Sequence, residues 1–316
     1  MCMDRIDKLI LAKLMLNSRI PYKLLAKQIK VSREVVNYRI NRLIKEGVII
    51  NFATEINYKK LGYIAASIYL NMEEEKQNEF IEFLSNSNYI SWAVELSGTW
   101  NFGFSIIGKD PEDIDNKFQT LYLRFKDQIT NHRFTLHKKT RYFYEKYFDT
   151  NTDIKIKKIK KEENIIIDDI DKTILKELAK NSRIDLVNLS KKTPITPQAI
   201  SKRIKKLENS NYIIKYYIFV DVFKLNFYQY EVFITNDNKL TKEKLINHLE
   251  FRKDVSYVGE YIGDPFLEFG LFVNSPYDLR KKIQEIIGLF KDVQIVQIDL
   301  FQKEYVPISP PECVFE

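Results

Sequence analysis

The chain has 316 residues, 45% hydrophobic and 29% charged, with 50 basic and 43 acidic side chains and a net charge of +7. That length predicts two to four modest domains with ordinary cores, and no run of eighteen apolar residues is present to span a bilayer. The opening MCMDRIDKLI lacks a basic stretch followed by an apolar core, so no secretory signal is expected there. Cys2 and Cys313 stand near opposite ends without CxxC partners. This excludes a zinc or disulfide framework and predicts a reducing, cytoplasmic setting. No GxGxxG or GxxxxGK[ST] occurs, so a nucleotide cradle has no support and no cofactor or metal is expected.

In chain order, residues 1–50 read as three short helices. Ile6, Leu9, Ile10 and Leu14 recur at helical spacing, and Asn17-Ser18-Arg19 breaks the pattern. Pro21 opens a second helix that buries Leu24, Leu25 and Ile29. Ser32 is a good N-cap for a third, and Gly47 a good terminator. On the third helix Val36, Ile40 and Leu43 share a core face. Glu34, Asn37, Tyr38, Asn41, Arg42 and Lys45 cover the opposite side, flanked by Arg33 and Arg39. A face rich in amides and guanidinia suits a helix in the major groove of double-stranded DNA, where Arg pairs with guanine and Asn with adenine. VIINFATEIN follows as a hairpin-like wing.

Residues 63–148 alternate strand and helix in the order βαββαβ, which predicts an antiparallel sheet with two helices on one face. The bare face must meet something apolar, most simply another such sheet. Residues 149–164, DTNTDIKIKKIKKEEN, read as a charged linker.

The chain is then written again. Shifted by 164, residues 4–50 align with 168–214 without a gap and with 18 identities, including the run Asn17–Ile20 as Asn181–Ile184. The second recognition helix has Thr196 as cap and Pro197 at its first position. Ile200, Ile204 and Leu207 form its stripe, Gln198, Ser201, Lys202, Lys205 and Lys206 face outward, and Arg203 flanks. Lysines favour phosphate over base edges, so the second copy is expected to hold DNA and the first to discriminate sequence. The predicted organisation is α+β, with DNA-binding domains at 1–50 and 165–214 alternating with sheet domains at 51–148 and 215–316. Charge agrees: residues 1–50 hold 11 basic and 4 acidic side chains and 165–214 hold 10 and 6, whereas 215–316 hold 12 and 16.

The pattern Asp7, Ile10, Leu11, Leu14, Asn17–Ile20, then Ser32, Val36, Arg39, Ile40, Arg42, Leu43, then Gly47–Ile49, followed by a βαββαβ unit, resembles the Lrp/AsnC (feast/famine) transcription regulators. Two copies resemble the tandem, double-length archaeal type. The resemblance implies winged helix-turn-helix domains alternating with ferredoxin-like (RAM/AsnC-type) domains. Pairing of the two sheet modules, within the chain or in a homo-oligomer, is expected to set the two winged helices about one DNA turn or more apart, on the order of 34 Å. The resemblance further implies an amino acid-like effector at the G-x-x-D turn, here Gly98-Thr99-Trp100-Asn101 and Gly263-Asp264-Pro265-Phe266. Both depart from the pattern: Asn101 stands at the acid and Phe266 cannot accept a hydrogen bond, with Asp264, Glu95 and Glu260 as nearby substitutes.

Two rival readings share the fold. An architectural DNA-binding protein would need no effector. A siroheme decarboxylase-like enzyme would lean on cleft histidines and arginines. The three histidines, His132, His137 and His248, are not repeated between the halves, and His132 and His137 should face opposite sides of the last strand.

Overall fold

The computed structural model describes residues 3–143, 148, 165–235, 239–263, 265–306 and 309–316. The predicted linker 149–164 and Asp264 lie outside the described residues. The first copy runs α1 (Arg5–Leu16), α2 (Tyr22–Ile29), α3 (Arg33–Lys45), β1 (Ile49–Ile56), β2 (Ile64–Met72), α4 (Gln77–Asn86), β3 (Ile90–Ser97), β4 (Phe102–Gly108), α5 (Pro111–Phe125) and β5 (Ile129–Tyr142). The second runs α6 (Asp169–Lys180), α7 (Leu186–Ser190), α8 (Pro197–Asn209), β6 (Ile213–Val220), β7 (Tyr228–Thr235), α9 (Lys239–Phe251), β8 (Val255–Ile262), β9 (Leu267–Val273), α10 (Pro276–Leu289) and β10 (Gln294–Val306). These elements sort into two compact units, and each unit draws on both copies.

The head unit holds the described residues of 3–63, 148, 165–221 and 309–316. Within each copy three helices enclose a small apolar core: Val36, Ile40 and Leu43 are fully buried in the first, Ile200 and Leu207 in the second. The helix ends follow from local chemistry. Asp4 accepts from Ile6 N and Asp7 N, Ser32 from Val35 N and Thr196 from Ala199 N. Gly47 and its counterpart Asn211 adopt the left-handed conformation that ends a recognition helix, at φ 69° and 56°.

The wing departs from expectation. VIINFATEIN forms one strand, β1, which makes no hairpin but pairs antiparallel with β6 of the other copy, Ala53 opposite Tyr217 and Thr54 opposite Tyr216. Residue types set a strand but not its partner, and the duplicated strand supplies a self-complementary one. Ser18 N donates to Tyr216 O and Ser182 N to Phe52 O, contacts related by the 164-residue shift. Ser18 Oγ and Ser182 Oγ lie 2.6 Å apart and are fully buried, so a local two-fold axis passes between them. Arg19 donates to Ser182 O and stacks on Tyr216, while Arg183 donates to Ile20 O and stacks on Phe52.

The sheet unit holds the described residues of 64–143 and 222–306. Each copy has the βαββαβ order, and the last strand of each also hydrogen-bonds to the other copy, β5 to β8 and β10 to β3. The two sheets thereby join edge to edge into one closed eight-stranded barrel, ordered β10-β3-β4-β2-β5-β8-β9-β7. Strand alternation gives two apolar layers. Ile68, Leu70, Phe102 and Phe104 pack with Phe80 of α4 and Leu121 of α5, while Val232, Leu267 and Phe269 pack with Leu249 of α9 and Ile286 of α10. The opposite faces line the lumen, where Tyr69, Trp92, Trp100, Phe233 and Phe301 cluster. As expected, His132 and His137 separate: His132 packs against Phe118 and Tyr122, and His137 Nε2 lies 2.6 Å from Ser67 Oγ, beside Tyr261.

Candidate nucleic-acid interface and effector turns

Burying Val36, Ile40 and Leu43 turns the opposite face of α3 to solvent. Arg33, Glu34, Asn37, Tyr38, Asn41 and Lys45 are all exposed there, and Ser32 is held as the cap. On α8, Gln198, Lys202, Lys205 and Lys206 are exposed, Ser201 is half-buried on the same side, and Thr196 is the cap.

Three predicted DNA contacts are engaged inside the heads. Arg39 Nη1 donates to Asp4 Oδ2 at 2.6 Å and Asp7 Oδ1 at 3.0 Å, and Arg42 Nη2 to Asp7 Oδ2 at 2.6 Å. In the second copy Arg203 binds Asp168 and Asp171 at 2.8 and 2.9 Å. The carboxylates are the reason: Asp7 and Asp171 are 2% exposed, and a buried carboxylate needs a cation. Arg39 and Arg42 therefore brace α3 against α1, and Arg203 braces α8 against α6. The Arg39 hydrogen bond, above all, pulls the Asp4 carboxyl below its ordinary value.

The N-S-R run, read as a mere helix break, proves to be the seam between heads. Asn17 Oδ1 and Asn181 Oδ1 accept from the N–H of Arg19 and Arg183, which sets the turn, and the serines and arginines then cross the axis. The signal was present as four consecutive identities, longer than any other in the aligned heads.

The first effector turn is internally satisfied. Thr99 N and Trp100 N donate to Asp299 Oδ1 of β10, and Trp100 Nε1 donates to Gln297 Oε1 at 2.9 Å. Asn101 Oδ1 accepts from Met72 N at 3.0 Å, and Asn101 N donates to Asn71 Oδ1 at 2.9 Å. Glu95 accepts from the Tyr305 hydroxyl at 2.6 Å, and Glu260 faces Lys138 and Arg141. A Cβ on Gly98 would run into Asp299 Oδ1 and Ile298 O. Gly98→Ala is therefore expected to cost about 1–3 kcal/mol, read as a lowered denaturation midpoint. Gly263 of the second turn stands in open space at φ 107°.

The lumen holds a carboxylate group unforeseen from sequence: Glu231, Glu268 and Asp299, all from the second copy. Glu268 accepts from the hydroxyls of Tyr69, Tyr257 and Tyr261. Burial pushes the Glu231, Glu268 and Asp299 carboxyls above their ordinary values. Arg133 stacks over Tyr69, Trp100 and Phe233 at 5.2, 5.5 and 4.7 Å, and its charge favours ionisation of all three carboxyls. Strand alternation on β7, β9 and β10 turns these positions inward, and closure of the ring brings them together.

The heads and their exposed helices define a tandem winged helix-turn-helix protein, and a winged helix-turn-helix DNA-binding model matches residues 3–50 and 167–214. The chain is 32% identical over 114 residues to an uncharacterized HTH-type transcriptional regulator of Pyrococcus horikoshii, 36% of this chain and 72% of that one. It is 30% identical over 121 residues to the HTH-type transcriptional regulator LrpB of Bacillus subtilis, 38% of this chain and 81% of that one. The chain belongs to the Lrp/AsnC family of transcription regulators, in double-length form. Among solved structures, the siroheme decarboxylase NirDL covers 96% of this chain, and this chain covers 93% of it, at a TM-score of 0.63 and 12% identity, a likeness of fold.

Proposed function

We propose that this protein is a cytoplasmic, sequence-selective regulator of transcription that binds double-stranded DNA and does no catalysis. The observation that carries this reading is the pair of winged heads locked across a two-fold seam with both recognition faces turned to solvent. Asn37 and Arg33 read base edges from the first head, while Lys202 and Lys205 hold phosphates from the second.

The test is fluorescence anisotropy on duplexes from the protein's own genome at several salt concentrations. Asn37→Ala is expected to relax preference at particular bases, by about 1–3 kcal/mol of discrimination. Lys205→Ala is expected to weaken all duplexes alike and lower the salt slope by about one. Unchanged affinity in both variants would reject the groove assignment.

For an effector, the 98–101 turn is the poorer candidate, because its backbone donors Thr99 N and Trp100 N are taken by Asp299. Control by an amino acid-like ligand then requires tighter binding to one DNA-binding state than to the other. Full-length likeness to the fold of NirDL favours the enzymatic alternative as a second reading. An absorbance titration with siroheme, showing tight binding and product formation, would establish that reading in place of this one.

A further inference from the structure

The two copies match where the fold requires it and differ where DNA would lie. Arg39, Ile40 and Leu43 of α3 recur as Arg203, Ile204 and Leu207 of α8, all buried or ion-paired, while buried Val36 changes only to Ile200 and paired Arg42 to Lys206. The seam matches too, Ser18 with Ser182 and Arg19 with Arg183. By contrast, the outward positions Asn37, Tyr38 and Asn41 become Ser201, Lys202 and Lys205. The backbone thus has a two-fold axis that the reading faces lack.

In a homodimer both recognition helices are identical, and the operator's palindromy mirrors the protein's symmetry. Here one chain contributes one head of each kind, and the β1–β6 ribbon fixes which stands beside which. An amide and a phenol can read base edges, whereas two ammonium groups answer mainly to phosphate. We infer that the DNA ligand is a directional, non-palindromic site: one half specified by base sequence through α3, adjoining a second half held through α8 with little base preference. The protein therefore binds in a single orientation along the duplex. This rests on the DNA-binding reading above and deepens it.

The test is selection of the full-length chain on a random duplex library, followed by sequencing of the bound fraction. The expected motif has one information-rich half and one poor half, unrelated by inversion. Mutating the rich half should weaken binding at least tenfold, and scrambling the poor half less than threefold. The variant Asn37→Ser/Tyr38→Lys/Asn41→Lys changes only exposed positions and should melt within about 2 °C of the parent. Its motif should lose the part of the rich half read by Asn37, Tyr38 and Asn41, keeping no more than Arg33 specifies. An inverted-repeat consensus, a bound pool without any motif, or a variant that keeps the parental motif would overturn the directional site while leaving DNA binding intact. Retention of no duplex even at low salt would instead reject the DNA-binding reading, and this inference with it.

Discussion

Asp7→Ala is expected to destabilise the head unit by roughly 2–4 kcal/mol, seen as an earlier melting transition and a lower urea midpoint. Asp7 is buried at 2% exposure and accepts from two guanidinia, Arg39 at 3.0 Å and Arg42 at 2.6 Å. Removing it leaves Arg39 with the half-exposed Asp4 and Arg42 with Glu46 at 3.7 Å. Both arginines keep a path to solvent, 18% and 30% exposed, which holds the cost below that of a fully buried pair. The second copy supplies an internal control. Asp171 meets one guanidinium, Arg203, and caps Asp168 N, because lysine stands at position 206 where the first copy has Arg42, so Asp171→Ala should cost less. Equal losses in the two variants would mean that the second guanidinium contributes nothing.

Glu231→Gln is expected to stabilise the barrel unit at pH 8 by about 2 kcal/mol, near 4–8 °C in melting temperature, and to leave it unchanged at pH 4. Glu231 is fully buried on β7, and neither of its oxygens has a hydrogen-bond partner. Tyr257, the hydroxyl closest in role, donates to Glu268. The groups facing Glu231 are Glu268 and Asp299, which resist its ionisation, and Arg133 and the Tyr257 hydroxyl, which favour it. Burial dominates and raises its folded value above the unfolded one. Below the unfolded value the group is neutral in both states and costs nothing. As pH rises, the unfolded chain ionises first, so stability falls until the folded value is passed. Glutamine does not titrate, and the variant should lose that pH dependence in thermal melts between pH 4 and 8. A lower melting temperature at pH 8 would show instead that Arg133 holds Glu231 ionised.

Much of the head was legible in sequence because its signals are local. Ser32 and Thr196 announce helix starts, and Val36, Ile40 and Leu43 repeat every three or four residues. The ion pairs of Arg39 and Arg203 were missed because their partners lie 32 and 35 residues upstream on another helix. A helix wheel ranks exposure but cannot see a carboxylate arriving from elsewhere. The cross-copy pairing of β1 with β6 was missed for a related reason: VIINFATEIN encodes a strand, and nothing in it names a partner 164 residues away. Asp299 closing the 98–101 turn is a contact across 200 residues. Duplication was the one long-range signal available, and it correctly pointed to sheets that associate.

Closure of the barrel has a consequence for how the chain tolerates being cut. Both seams of the ring, β5 with β8 and β10 with β3, join one copy to the other. Severing the polypeptide between its halves and drawing them apart would bare two strand rims on each fragment. Unpaired rims of that kind recruit any strand in reach, which is the route to clumping. Intact, the ring offers no such rim among the described residues, so additional copies cannot associate by lengthening this sheet.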